Sequence, residues 1–367
     1  MQSVKPNLAI VAVCARPFVL AAKRAGYRVA AFDMFNDSDT QDSACYSKQV
    51  DYISGGFDAD DLWHKLSVLD PEYLTGVSYG SGLENQPELL EKISRRFRLL
   101  GNTPDVVNYM KDPFRFFSLL DAMEVAHPEV RFDAPENVDG WLTKLQGGAG
   151  GTHVRWLNDE TVADGRYCQR MAEGTPVSIL FLADGRHAAV IGFNEQWVSP
   201  VSDMPFRYGG AVSHALLPEE VKQRMASIVS RVTATVGLRG LNSMDFMLSG
   251  SELLALEINP RLSATFSLYN IADLFERHLQ ACCGVMAVLP PIPTESKAHL
   301  VFYAPADITI PEAMVWPEWA ADLPKPGVIC RAGEPLCSVL AFAADAQSAM
   351  ELVFARAQQL GAQLRFF

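Results

Sequence analysis

Apolar residues in the first part of the chain come in short runs separated by polar turns. The continuous apolar run at 7–14 predicts a buried strand, and residues 17–26 predict a helix that ends at a glycine. A second apolar run follows at 27–33. Strand, helix and strand at this spacing predict a parallel sheet, whose ligand sites lie at the carboxyl ends of its strands. We therefore predict an α/β domain at the N-terminus.

The hydrophobic pattern divides the chain into three predicted parts. Gly-Asn-Thr-Pro at 101–104 and a proline-rich segment at 290–293 interrupt the pattern and mark the two boundaries. Helices are predicted over 105–123 and 271–288, among others. Two or three domains are typical of a chain of 367 residues. We predict an α/β domain at 1–104, a central domain at 105–290 and a small C-terminal α+β element at 291–367 that packs on the core.

A predicted hairpin at 240–266 carries the most informative pattern of charged residues. Two apolar runs flank a turn at Ser249-Gly250-Ser251, which is typical of paired antiparallel strands. If the loop has three residues, Asp245 faces Ala255 and has Glu257 as its diagonal neighbour, about 7–8 Å away. The hairpin would then bring two carboxylates to the same face of the sheet.

Side chains alternate along a strand, so Asn259 and Arg261 share the face of Glu257. Two carboxylates and an amide oxygen at this spacing can hold a hard divalent cation, and an adjacent arginine can bind an anion. The alternative is a surface hairpin with an ordinary Glu/Arg pair. The flanking apolar residues favour the metal site, because an unpaired charge within an apolar strand is costly.

A glycine-rich run lies between two predicted strands of the central part. Its members are Gly147, Gly148, Gly150 and Gly151. Glycines in such a turn let backbone N–H groups close over phosphates, and Lys144 just before the run can reach the same phosphates as a point charge. No Gly-Lys-Ser/Thr follows, so the run is not a Walker A loop. A flexible surface hairpin is the alternative interpretation.

Composition narrows the class of partner. The apolar fraction of 49% and charged fraction of 20% are typical of a globular protein. A net charge of -12 disfavours nucleic acid and anionic membrane surfaces as partners. Seven cysteines show no metal-ligand spacing, and no apolar run approaches the ~20 residues that span a bilayer. The sequence therefore predicts a cytoplasmic protein with no membrane partner.

Taken in order, these motifs resemble the ATP-grasp superfamily of ATP-dependent carboxylate–amine ligases. Glu257-Ile258-Asn259-Pro260-Arg261 is similar to the family's E-x-N-x-R, and Asp245 lies twelve residues upstream as a second metal carboxylate. The resemblance covers most of the chain. It implies an ATP-grasp fold behind an N-terminal α/β domain, with ATP and Mg²⁺ (or Mn²⁺) as cofactors.

The resemblance also implies roles for individual residues. The implied metal ligands are Asp245, Glu257 and Asn259, and the implied catalytic residues are Arg261, Lys144 and Asn259. The implied ATP contacts are Lys111, Lys144, the glycines at 147, 148, 150 and 151, the hinge residues Gln169, Arg170 and Ala172, and Ser178 near the ribose. The implied substrate contacts are Ser81, Glu84, Asn85, Arg207 and Arg261. Arg16, Ser263 and His153 are further candidates.

One departure from the family pattern concerns charge. Many members have an arginine two residues before the metal aspartate, where this chain has Ser243. Either Arg261 or Arg207 supplies the missing positive charge, or the transition state is handled differently.

The implied reaction forms an amide through an acyl phosphate, with ADP as a product. Some segments further resemble a branch of carboligases related to tyramine–glutamate ligase. That branch implies methylofuran- or methanopterin-type cofactor biosynthesis, with glutamate or an aromatic amine as substrate. A carboxylase or kinase on the same fold and a non-catalytic nucleotide sensor are the alternatives, and a homodimer is expected from the family.

Overall fold

The N-terminal part of the computed structural model is an open parallel sheet with helices on its faces. The structure describes residues 5–53, 55–158 and 162–364. The elements of this part are β1 (Leu8–Val11), α1 (Arg16–Arg24), β2 (Val29–Asp33), α2 (Ser38–Ser43), β3 (Tyr46–Gln49), β4 (Tyr52–Ile53), β5 (Gly56–Phe57), α3 (Ala59–Leu66), a 3₁₀ turn (Pro71–Tyr73), β6 (Val77–Tyr79), α4 (Pro87–Arg96) and β7 (Leu99–Leu100). The strand order β3-β2-β1-β6-β7, with parallel pairing throughout, confirms the predicted α/β class.

The central strand β1 explains why its sequence is apolar without alternation. Leu8 and Ile10 belong to the core that faces α1, whereas Ala9 and Val11 belong to the core on the opposite face. Both faces of a parallel sheet are covered by other elements, so both sets of side chains must be apolar.

A small four-stranded antiparallel sheet follows. Its elements are α5 (Pro104–Lys111), α6 (Pro113–Ala122), β8 (Val130–Arg131), β9 (Trp141–Leu145), β10 (Val154–Trp156) and β11 (Arg166–Arg170), in the strand order β10-β9-β11-β8. The single helix predicted over 105–123 is wrong. Pro113 disfavours helical backbone at Asp112, whose carboxylate instead accepts a hydrogen bond from the Arg115 N–H and caps α6.

An eight-stranded sheet forms the rest of the core. Its elements are β12 (Thr175–Asp184), β13 (Ala188–Val198), β14 (Tyr208–Ser213), α7 (Glu219–Val236), β15 (Arg239–Ser249), β16 (Glu252–Asn259), a 3₁₀ turn (Ala264–Leu268), α8 (Leu274–Cys282), β17 (Ser296–Tyr303), β18 (Ile308–Thr309), β19 (Ala320–Ala321), β20 (Ile329–Cys330), β21 (Pro335–Ala343) and α9 (Ala346–Leu364). The strand order is β16-β15-β12-β13-β14-β17-β21-β19, and β18 pairs separately with β20.

The two faces of this sheet pack against different partners. On β12, Ile179 and Phe181 join the core that includes α7, whereas Leu180 and Leu182 join the core that includes α1. The period of two along the strand places the N-terminal part against one face of the sheet. The ends of β15 and β16 are therefore held close to the carboxyl ends of the parallel strands.

The large sheet continues past the predicted boundary at 290, since Gly210 of β14 pairs with Leu300 of β17. The division at 104 and 290 stays a prediction, and its outermost residues 1–4 and 365–367 lie outside the described residues. The predicted helix at 271–288 is shorter than expected, because α8 ends at Cys282. No helix of the described residues combines the length and apolar content needed to cross a membrane.

Candidate active site

The hairpin of β15 and β16 has a different register from the predicted one. The turn contains two residues, since Ser249 pairs with Glu252. A β-bulge then leaves Leu256 without a partner on β15, and Asp245 pairs directly with Glu257.

The predicted pairing of Asp245 with Ala255 is wrong, because the turn is one residue shorter than predicted and the bulge shifts the register by one residue more. Without the extra residue, Glu257 would lie on the opposite face of the sheet from Asp245. Directly paired residues also lie closer together than diagonal ones, with Cβ atoms about 4.5–5.5 Å apart. The bulge therefore creates the carboxylate pair.

Amide side chains hold the Asp245 carboxylate on both sides. Asn259 Nδ2 donates to Asp245 Oδ2 at 2.9 Å, and Gln196 Nε2 donates to Asp245 Oδ1 at 3.0 Å. Lys111 Nζ, at the end of α5, lies 3.1 Å from Asn259 Oδ1 and 3.8 Å from Glu257 Oε2. These side chains form one network of polar contacts, with the Lys111 ammonium at its edge.

The electrostatics of the network depend on burial. Burial, followed by the charge of Glu257, raises the pKa of Asp245. Burial would also raise the pKa of Glu257. Nearby positive charges, first of all that of Lys111, outweigh burial and lower this pKa. Burial also lowers the pKa of Lys144, which the attraction of the two carboxylates only partly offsets. In the protein alone, burial therefore disfavours the negative charge of Asp245 and the positive charge of Lys144.

The residues present fit a hard divalent cation next to a polyphosphate. Two carboxylates and the Asn259 amide supply oxygen ligands, which Mg²⁺ prefers. A bound cation would stabilise the charged form of Asp245, and a bound phosphate would stabilise the charged form of Lys144. Within the described ranges, no group of three or more His, Cys, Asp or Glu side chains could hold a metal, so a third protein ligand must be an amide such as Asn259.

The glycine run forms the turn between β9 and β10 and lies over this network. Gly147 and Gly148 line a cavity together with Lys111, His153 and Glu257. The His153 Nδ1 atom is buried and has no hydrogen-bond partner among the described residues. The cavity is therefore bounded by the predicted metal and phosphate residues.

The rest of the turn rests on the loop before β14. The Tyr208 N–H donates to the Gly150 carbonyl at 2.9 Å. A Cβ on Gly151, which has φ +68°, would lie 1.9 Å from the Phe206 carbonyl oxygen. The turn is thus held in a closed position that only glycine permits at residue 151.

The predicted hinge residues are divided between two environments. Gln169 is buried, and its Nε2 atom has no hydrogen-bond partner in the described part of the chain, which suits a ligand in the cleft. Arg170 instead points away, since its Nη1 atom donates to the Asp139 carbonyl at 2.7 Å. Ala172 follows β11 and is half-buried.

Ser178 lies beside Asp245 in the sheet but is not free for ribose. The two residues pair between β12 and β15. The Ser178 hydroxyl accepts a hydrogen bond from Asn194 Nδ2 at 3.1 Å inside the core. These contacts do not support its predicted role, which stays a prediction.

Arg207 does not replace the missing arginine near Ser243. Its guanidinium stacks 3.5 Å from the centre of the Tyr303 ring and donates to the Gly333 carbonyl at 2.8 Å. The charge is thus directed towards the C-terminal element, and these contacts do not support a substrate role. Arg16 is similarly engaged, because its Nε atom lies 2.5 Å from Asp322 Oδ1.

Arg261 does lie at the site, and Glu84 contacts it. Its Nη2 atom donates to Asn259 Oδ1 at 3.2 Å, and its Nε atom donates to Glu84 Oε1 at 2.6 Å. Asn85 follows Glu84 and lies beneath the turn, since a Cβ on Gly147 would lie 2.9 Å from the Asn85 Cα.

The remaining substrate candidates lie on the same side. Ser81 opens this loop, and its carbonyl accepts from the Val13 N–H at 3.0 Å. The Ser263 hydroxyl is paired with that of Thr265 at 2.9 Å.

Sequence reasoning missed two polar residues of the site. Gln196 of β13 was not identified as a partner of Asp245, because no motif in the sequence marks it. The Tyr208 hydroxyl is buried without a hydrogen-bond partner among the described residues. Burial, followed by the charge of Asp245, raises the pKa of Tyr208.

Carboxylate and amide oxygens, two nearby lysines and a glycine-rich turn form an arrangement that suits a metal ion and a phosphate. Residues 110–265 match the family model of the ATP-grasp domain. An ATP-grasp domain therefore lies at these residues, and the predicted resemblance to this superfamily is confirmed. The narrower branch related to tyramine–glutamate ligase stays a prediction.

A relative of known identity matches about half of the chain. The chain is 24% identical over 231 residues to the carbamoyl phosphate synthase large chain of Rubrobacter xylanophilus. The match covers 55% of this chain and 21% of that protein, so the chain spans about a fifth of the relative's length.

Solved structures share the fold over nearly the whole chain. N5-carboxyaminoimidazole ribonucleotide synthetase from Thermotoga maritima has a TM-score of 0.66 at 15% identity, over 96% of this chain and 98% of that one. The biotin carboxylase domain of Hydrogenobacter thermophilus 2-oxoglutarate carboxylase has a TM-score of 0.70 at 13% identity, over 95% and 89%. The latter was solved as a dimer with MgADP, ADP and bicarbonate.

Proposed function

We propose that this protein is an ATP-dependent, ADP-forming ligase that joins a carboxylate to an amine through an acyl phosphate. The observation that carries the proposal is the pairing of Asp245 and Glu257 beside two lysines and beneath the glycine-rich turn. Phosphoryl transfer depends on positioning and charge neutralisation, and this arrangement provides both.

Each group of the chain has a distinct task in the proposed reaction. Asp245, Glu257 and Asn259 would hold the divalent cation, which supplies charge neutralisation when bound. Lys111 and Lys144 would bind the phosphates of ATP, and Arg261 would bind the transferring phosphoryl group. The turn at 147–151 would exclude water, which destroys an acyl phosphate.

The sequence resemblance also supports a class of substrate. We propose glutamate or an aromatic amine in methylofuran- or methanopterin-type cofactor biosynthesis, supported by sequence resemblance alone. A carboxylase is a second candidate, because a solved structure of the same fold is a biotin carboxylase domain bound to bicarbonate. Bicarbonate would then take the place of the substrate carboxylate.

The test is Mg²⁺-dependent release of ADP from ATP, measured against a panel of carboxylates, amines and bicarbonate. Glu257→Gln removes a proposed metal ligand, and Glu252→Gln is the matched control on an exposed position of the same strand. The proposal expects release that requires both a carboxylate and an amine and is lost only in Glu257→Gln. Release with bicarbonate alone would favour the carboxylase, and full activity of Glu257→Gln would overturn the metal site.

Two further proposals concern the surroundings of the enzyme. All seven cysteines are free thiols, which suits a reducing compartment such as the cytoplasm. A homodimer is proposed from the dimeric biotin carboxylase domain of the same fold. Analytical ultracentrifugation of the full chain tests whether it forms this homodimer.

A further inference from the structure

We infer that Glu84 is a positioning residue that holds the Arg261 guanidinium against the site of the transferring phosphoryl group. This inference rests on the proposed function. It replaces the predicted role of Glu84 as a substrate ligand with a role exerted through Arg261.

Both oxygen atoms of the Glu84 carboxylate are already used. Oε1 accepts from Arg261 Nε at 2.6 Å. Oε2 accepts from the Gly82 N–H at 2.7 Å and from the Leu83 N–H at 3.2 Å. The side chains of Glu84 and Arg261 are 2% and 9% exposed. A substrate would have to displace these short charge-assisted bonds in order to reach the carboxylate.

The loop that carries Glu84 has little freedom to move. Gly82 has φ +109°, in the region that favours glycine, and a Cβ there would lie 2.6 Å from the Phe57 ring. On the Arg261 side, the N–H of the next residue, Leu262, donates to the Tyr79 carbonyl at 3.3 Å. The backbone that carries each of the two charged side chains is thus held in place.

Arg261 also needs a partner for electrostatic reasons. Its charge acts on both Asp245 and Glu257. Without Glu84, these carboxylates would be the nearest anions, and the guanidinium would move towards them and compete with the divalent cation. Glu84 therefore keeps Arg261 close to the metal carboxylates without letting it neutralise them.

Nearby positive charge outweighs burial in setting the ionisation state of Glu84. Burial alone would raise the pKa of Glu84, but the charge of Arg261, followed by that of Lys111, outweighs it and lowers the pKa. The carboxylate is thus ionised when it holds the guanidinium. An amide at position 84 could accept from Arg261 only by turning its NH₂ group towards the Gly82 and Leu83 N–H donors.

The experiment compares binding of Mg²⁺-ADP with binding of Mg²⁺-ADP plus fluoroaluminate, which mimics the transferring phosphoryl group. Calorimetry is carried out on the full chain and on Glu84→Gln, Arg261→Lys and the double variant. Glu88→Gln, an exposed glutamate four residues away, is the matched control. Thermal unfolding checks that each variant is folded. If Glu84→Gln does not fold, Glu84→Asp takes its place, because it keeps the charge one methylene shorter.

We expect Glu84→Gln to weaken the fluoroaluminate complex about tenfold to a hundredfold, as for loss of a charged hydrogen bond, and to change Mg²⁺-ADP binding by less than about twofold. In the Arg261→Lys background the same change should have little further effect, because Glu84 acts through Arg261. Additive losses in the double variant, or an unchanged fluoroaluminate affinity in Glu84→Gln, would overturn the inference. A native chain that gains nothing from fluoroaluminate would instead overturn the proposed function, and the inference with it.

Discussion

Replacing Gly151 with alanine should detach the glycine-rich turn from the loop before β14. The added Cβ would lie 1.9 Å from the Phe206 carbonyl oxygen, which is backbone and cannot rotate away. Gly150 offers a matched control, because it has a similar backbone angle, φ +65° against +68°, and nothing lies within 4 Å of an added Cβ. Both variants carry the cost of an alanine at positive φ, and only Gly151→Ala adds the collision with the Phe206 carbonyl.

The structure allows the size of the effect to be worked out. An alanine at positive φ costs about 1–2 kcal/mol in either variant. In Gly151→Ala the turn must also separate from the loop, which breaks the 2.9 Å hydrogen bond from the Tyr208 N–H to the Gly150 carbonyl. That bond contributes about 1 kcal/mol, and lost packing adds a similar amount. The closed population should therefore fall by a further factor of about 30, since 1.4 kcal/mol corresponds to tenfold.

Amide hydrogen exchange at Tyr208 measures this population directly, because the amide is protected only while the turn is closed. Gly150→Ala should lose a modest part of the protection, and Gly151→Ala should lose much more. Affinity for Mg²⁺-ADP should fall in the same order. Equal loss of protection in the two variants would refute the reasoning, because it would mean that the collision with Phe206 does not control closure.

Three other substitutions test the site and its support. Lys144→Met should leave the unfolding temperature unchanged or raise it, because burial disfavours the ammonium, while calorimetry should show Mg²⁺-ADP binding weakened about tenfold to a hundredfold. Asn102→Ala should lower the unfolding free energy in urea by about 2–4 kcal/mol, because its side chain bonds the Pro260 carbonyl at 2.9 Å and the Arg239 N–H at 2.7 Å. Burial lowers the pKa of His278 from 6.5 to about 4, so the unfolded chain binds a proton that the folded chain refuses, and stability falls as the pH drops from 6.5 to 4. His278→Gln should flatten that slope by up to about 1.4 kcal/mol per pH unit, as measured by urea unfolding at several pH values.

Periodicity predicted the elements well where a strand or helix is recognised by its own residues. The continuous apolar runs of β1 and β12 each follow from the burial of both faces of the strand. The bulge at Leu256 could not be predicted, because no glycine or other local signal marks it. It is set by how β16 packs against β15 and the core beneath.

The predicted site residues differ in how much of the fold each one needs. Asp245 and Glu257 are twelve residues apart on one hairpin, so the sequence could place them near each other, although their direct pairing depends on the bulge. Glu84 and Arg261 are 177 residues apart, and their contact depends on how the parallel sheet packs against the large one. The contacts of Arg207 could not be predicted for the same reason, since its partners Tyr303 and Gly333 belong to a distant segment. No spacing along the chain carries that information.

The charges of the site indicate that cation and nucleotide belong together. The protein supplies Glu84 to neutralise Arg261, but burial leaves the charges of Asp245 and Lys144 disfavoured. A divalent cation improves the environment of Asp245 and worsens that of Lys144, whereas a polyphosphate has the opposite effects. Each ligand therefore removes the unfavourable charge that the other leaves behind. Because such coupling is reciprocal, the cation must tighten nucleotide binding by the same factor as the nucleotide tightens cation binding.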